Sequence, residues 1–199
     1  MLRYAHVSLT LASLIVAGGT GVARAAPSSP SPSPDSKMSA ELKDAEGRTV
    51  GTVDVQDAGD GKSRVSVKTK DLPPGFHGLH VHDKGVCDAS STDPQTGSPF
   101  SDSGPHLGSG DHPQHKGDLP DLLVGKDGSA DVSYVTDRVG VDELLGGEGS
   151  SLMVHEKPDN HGNIPERYKS NGKSGPDAET LKAGDSGSRI ACAVLKQQN

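Results

Sequence analysis

Apolar residues recur at every second position in short runs: Ala40/Leu42, Val53/Val55, Val65/Val67, Leu79/Val81, Val132/Tyr134, Leu152/Val154 and Ile190/Cys192/Val194. An extended chain sends successive side chains to opposite faces, so this period predicts half-buried strands. Glycine-bearing turn signals separate them at Glu46-Gly47, Asp60-Gly61, Asp127-Gly128 and Gly146-Gly147. Only VDELL, 141–145, has the spacing of a helical turn. Two segments, 83–117 and 156–187, carry no period and are rich in Gly, Pro, Asp and Ser. Loops that long usually serve a function or stay disordered. The pattern predicts an all-β protein, an antiparallel sandwich or barrel with two long functional loops.

Composition narrows the function. The formal net charge of −7 disfavours a nucleic-acid partner, which would need a basic footprint. Three Tyr, two Phe and no Trp leave little for stacking bases. At the N-terminus, Arg3 precedes an apolar stretch from Val7 to Val22, and Ala23-Arg24-Ala25 fits the small-x-small rule for signal peptidase. Residues 1–25 are expected to be a secretory signal peptide. The stretch is short and broken by Gly and Thr, so no stable transmembrane span is expected after cleavage. Residues 26–37, with alternating Pro and Ser, read as an extended spacer. Residues 38–199 form the folded domain. The product is expected to be secreted, either extracellular or associated with the cell envelope. In that oxidising space Cys87 and Cys192 are either two buried thiols or a bridge. A bridge would close a loop of about 105 residues and contribute about 4–5 kcal/mol in the chain-entropy picture.

Nine histidines against two cysteines is the unusual feature. In Gly78-Leu79-His80-Val81-His82 the two imidazoles share one strand face and Leu79 and Val81 the other. Such a pair suits copper, zinc or iron, and equally suits two surface histidines. His155 ends another apolar run, LMVH. The segment 104–118 holds His106, His112, His115 and Asp118 among glycines. Three nitrogens and one carboxylate oxygen make an acceptable tetrahedral zinc site, though the same composition also describes a polar surface loop.

The segments HGLHVHDKGVC (77–87), GPH (104–106), HKGDL (115–119), KDGSADVS (126–133), MVHEKPDN (153–160) and GDSGSRIAC (184–192) together resemble the secreted bacterial copper–zinc superoxide dismutases, most of all the actinobacterial forms. The resemblance covers about residues 38–197. It implies a Greek-key barrel of about eight strands, copper and zinc as cofactors, and superoxide anion as substrate. It makes His80, His82 and His155 copper ligands and His106 the imidazole bridging copper and zinc. His115 and Asp118 become zinc ligands, and Asp159 the carboxylate linking ligands of both metals. Arg189 stands over the copper, Cys87 and Cys192 form a disulfide, and Lys182 and Glu179 belong to a loop that guides the anion. His77 is structural and His161 a surface residue. The zinc loop is shortened relative to the family, with eight residues between His106 and His115, and His112 is the histidine left to complete the zinc set. Arg189 and His106 are the expected catalytic residues. Family members occur as monomers and homodimers. The competing expectation is a copper-buffering domain of the same fold without turnover.

Overall fold

The computed structural model describes residues 37–196. The expected signal peptide and nearly all of the spacer lie outside the described residues. Strands β1 (Lys37–Asp44), β2 (Thr49–Gly59) and β3 (Lys62–Thr69) form a meander. Its first turn is closed by Asp44, whose carboxylate accepts from the backbone N–H of Glu46 and Arg48. β4 (Gly75–His77) and β5 (Leu79–His82) follow, separated only by Gly78. Then come β6 (Leu122–Val124), β7 (Ala130–Thr136), the helical turn α1 (Val141–Leu144) and β8 (Ser150–His155). The minimal hairpin β9 (Lys169–Ser170) and β10 (Lys173–Ser174), α2 (Ala178–Ala183) and β11 (Arg189–Leu195) complete the chain.

The main sheet is antiparallel with order β5-β8-β11-β1-β2-β3-β7. β4 pairs with β6 in register Phe76↔Leu123. β4 runs on into β5 at one edge of the main sheet, and β6 turns through Gly125–Ser129 into β7 at the other. Counting β4 and β5 as one interrupted strand, eight strands curl around one core, as the resemblance implies. Val53, Val55, Val65, Val67, Leu79, Val81, Leu122, Leu152 and Val154 fill it.

β11 differs from the sequence expectation. Ala191, Ala193 and Leu195 face the core, whereas Cys192 packs outside it with Phe100 and Met153. The predicted inner face is the outer one. It reads as apolar because the 83–121 loop covers it, fastened there by a Cys87–Cys192 disulfide.

Candidate metal centre

Strand alternation sends Leu79 and Val81 into the core and puts His80 and His82 on the other face of β5, both fully buried. The long loop after β5 returns and runs against that strand. Leu107 N donates to Val81 O, Val81 N to Gly117 O, and Leu119 N to Leu79 O. These bonds set His106 beside His82 and Asp118 beside His80. Gly117 is required there, since a Cβ would lie 2.2 Å from Val81 O. His155 ends β8 and is the register partner of Arg189 at the start of β11.

Six imidazoles share one arrangement, with one nitrogen anchored and the other buried without a hydrogen-bond partner. His80 Nε2 donates to Asp159 Oδ2 at 2.8 Å, and His112 Nε2 to Asp159 Oδ1 at 2.8 Å. His82 Nδ1 donates to Gly104 O and His155 Nδ1 to Gly187 O. His106 Nδ1 donates to Asp118 Oδ1 and His115 Nε2 to Gly110 O. Left over are His80 Nδ1, His82 Nε2, His106 Nε2, His112 Nδ1, His115 Nδ1 and His155 Nε2. Buried polar atoms are normally satisfied, so six orphans in one cluster mark places for ions. His77 is different: both its nitrogens meet carbonyl oxygens, of His155 and Pro73, leaving none for a metal.

Two groups of ligand atoms lie close together, and His115 belongs to neither. His82, His106 and His155 offer ligand atoms within 4.8 Å of one another. His80, His106, His112 and Asp118 do the same. Asp118 Oδ2 lies 3.2 Å from Nδ1 of both His112 and His115. That is close to the ~3.3 Å expected between neighbouring donors on a tetrahedral zinc with ~2.0 Å bonds. His80 stands between the sets, its ring centroid 4.0 Å from that of His106 and 4.7 Å from that of His155.

The electrostatics keep His82, His106 and His155 neutral. Burial, with Arg189 nearby, holds His82 well below the ordinary histidine value, and burial does the same for His155. Burial brings His106 down to about 4, against the pull of Asp118. Burial also disfavours charge on His112, but Asp118 and Asp159 outweigh it and raise the ring to about 9. Asp118 and Asp159 stay well below the usual carboxylate range, because their histidine partners overcome the cost of burial.

A cavity of about 280 Å³ opens onto His106 and His155. Arg189, Lys182 and Lys157 line it, together with Asp93, Glu156 and Glu179. Arg189 is held by the carbonyls of Phe100 and Gly104, and its backbone N–H donates to Ser98 Oγ at 3.0 Å.

The model of the family "Copper/zinc superoxide dismutase (SODC)" matches residues 49–195. The chain belongs to this family. It is 39% identical over 186 residues to a copper–zinc superoxide dismutase of Mycolicibacterium paratuberculosis, covering 89% of this chain and 79% of that protein. It is 31% identical over 198 residues to the Escherichia coli K12 enzyme, covering 95% and 98%. Among solved structures, the copper/zinc superoxide dismutase from Brucella abortus superposes with a TM-score of 0.60 at 26% identity, covering 80% of this chain and 99% of that one. As a superoxide dismutase, the protein is an oxidoreductase whose metals are copper and zinc.

His80, His82, His106, His112, His115, Asp118, His155 and Asp159 come together in this cluster, and Arg189, Lys182 and Glu179 line its cavity, whereas the Cys87–Cys192 bridge lies outside both, against Phe100 and Met153. His161 is half-exposed, 3.8 Å from Asp121 and 3.9 Å from Asp159; its backbone N–H, not its ring, bonds Asp159. Sequence reasoning missed two supports. Arg138 Nη1 donates to the carbonyls of Pro113 and His115, pinning the loop between His112 and Asp118. Gly184, left-handed at φ 59° as the C-cap of α2, lies against Asp159 and His112, where a Cβ would sit 2.1 Å from Asp159 Oδ1. The Asp177…Gly184 spacing of caps was the available signal for that helix end.

Proposed function

We propose that His80, His82, His106 and His155 hold copper and that His106, His112, His115 and Asp118 hold zinc, with superoxide reaching the copper side through the Arg189 cavity. The supporting observation is the convergence of six buried, unpartnered ring nitrogens around His106. His80 joins the copper set through Nδ1, because Asp159 takes its Nε2 and its ring centroid lies close to those of His106 and His155. His112 completes the zinc set in the shortened loop.

Bound copper supplies a one-electron exchange that converts one superoxide to dioxygen and a second, with two protons, to hydrogen peroxide; zinc has no redox chemistry. The protein's own residues do the rest. Gly104 O and Gly187 O fix the tautomers of His82 and His155, so that each ring presents a lone pair at Nε2. His106 is the residue placed to move a proton at Nε2, since its Nδ1 faces Asp118 on the proposed zinc side, where zinc would replace that hydrogen bond, and burial makes the ring a weak base. Arg189 attracts and orients the anion with a charge that does not titrate in the working range. Lys182 and Lys157 extend the positive field along the cavity and oppose the acidic net charge. Asp159 steadies both sets through His80 and His112.

We further infer that the chain is exported by residues 1–25 and acts outside the cytoplasm on superoxide, with no nucleic-acid partner. Among the described residues no helix is long and apolar enough to cross a membrane. Copper- and zinc-loaded protein is expected to consume superoxide catalytically in stopped-flow measurements. Stoichiometric copper uptake without turnover would favour the copper-buffering reading instead.

A further inference from the structure

The cavity that admits superoxide carries acids as well as bases, and one of them is built in. Asp93 belongs to a tight turn in which Asp93 N donates to Ser98 O and Gly97 N to Asp93 O. Its carboxylate accepts from the backbone N–H of both Gln95 and Thr96, at 2.9 Å each. Two backbone donors fix the anion in place, and they also hold it below the usual carboxylate range, so it stays charged. The same turn supplies Ser98, whose hydroxyl accepts from Arg189 N. Asp93 thus lines the same cavity as Lys182 and Arg189 and interacts electrostatically with both. Glu156 and Glu179 line the cavity too, but no hydrogen bond to either carboxylate is found among the described residues.

We propose that Asp93 is a specificity-determining residue of the substrate channel: a fixed negative charge that weakens anion retention at Arg189. Small anions entering the cavity meet Arg189, Lys182 and Lys157, and any that linger block the next superoxide. A carboxylate fixed in the wall of the same cavity lowers the depth of the local attraction without touching the metal ligands. Its effect is carried by the field alone, so it fades with added salt.

The proposal rests on reading this cavity as the substrate channel, and superoxide turnover by the unaltered enzyme tests that reading separately. The test of Asp93 is azide binding to copper- and zinc-loaded protein, followed by the visible absorption of the copper ion. D93N keeps an oxygen able to accept from Gln95 and Thr96 while removing the charge; D93S does so with a different side chain should the first not fold. D131N, at an exposed position on β7 that does not line the cavity, makes the same change in net charge. At low ionic strength D93N or D93S is expected to bind azide about two-fold more tightly than wild type, with the difference lost near ~0.5 M salt. D131N is expected to match wild type. Unchanged azide affinity in the Asp93 variants, or an equal shift in D131N, would overturn the proposal.

Discussion

Arg189 and His82 share one acceptor: Gly104 O takes Nη2 of the arginine at 2.7 Å and Nδ1 of the histidine at 2.9 Å. A single carbonyl therefore sets the guanidinium at the cavity and fixes which nitrogen of His82 is free. Replacing Arg189 removes a charge but leaves His82 its anchor. Arg189→Ala is expected to lower the superoxide rate about ten-fold at low ionic strength, the order that steering supplies, with copper content unchanged. Rates measured across an ionic-strength series check this, and the gap to wild type should narrow as salt rises.

Asp159 bonds a ring nitrogen of His80 at one oxygen and of His112 at the other, the rings proposed for the copper and the zinc side. Removing such a partner frees ligand rings to rotate and typically costs ten- to a hundred-fold in metal affinity. Asp159→Ala is expected to weaken zinc binding by about that factor. Competition with a chelator of known affinity measures it.

Acid should destabilise the metal-free protein through its neutral histidines. In the unfolded chain a histidine takes up a proton as pH falls through about 6.5. In the folded protein His106 holds out to about 4, and burial likewise holds His82 and His155 well below the ordinary histidine value. The unfolded state binds more protons in that window, so stability falls as pH drops from 6.5 towards 4. His106 alone accounts for a loss of about 3 kcal/mol. His112, raised to about 9, is protonated in both states below 6.5 and contributes nothing to this slope. Asp118 and Asp159, held low, withdraw their own stabilisation only at pH values below the ordinary carboxylate range. Urea unfolding of the metal-free protein at a series of pH values reads the slope.

Gly184→Ala should cost about 1–3 kcal/mol, because the position is left-handed and the new methyl would collide with Asp159 Oδ1 and His112 Nε2. The same collision predicts weaker zinc binding. A thermal melt together with zinc titration separates the two effects.

The strands were legible where one face meets the core and the other meets water, as in Val53/Val55 and Val65/Val67. β11 misled the pattern because both its faces are covered, Ala191 and Ala193 by the core and Cys192 by the loop. β4, β6, β9 and β10, of two or three residues each, are too short to show a period. At the site, the HxH spacing announced His80 and His82, the family segments announced His106, His115, Asp118, His155, Asp159 and Arg189, and His112 was legible only as the histidine left inside the shortened loop. Arg138 stayed hidden because its contacts are to carbonyls some 25 residues away, which leave no mark on local sequence.

We propose that two metals share His106, with His112 serving only the zinc side. Elemental analysis of wild type and His112→Ala tests it most directly. One copper and one zinc per chain are expected in the wild type, and copper without zinc in the variant. A His112→Ala protein that retains a full complement of zinc would contradict it.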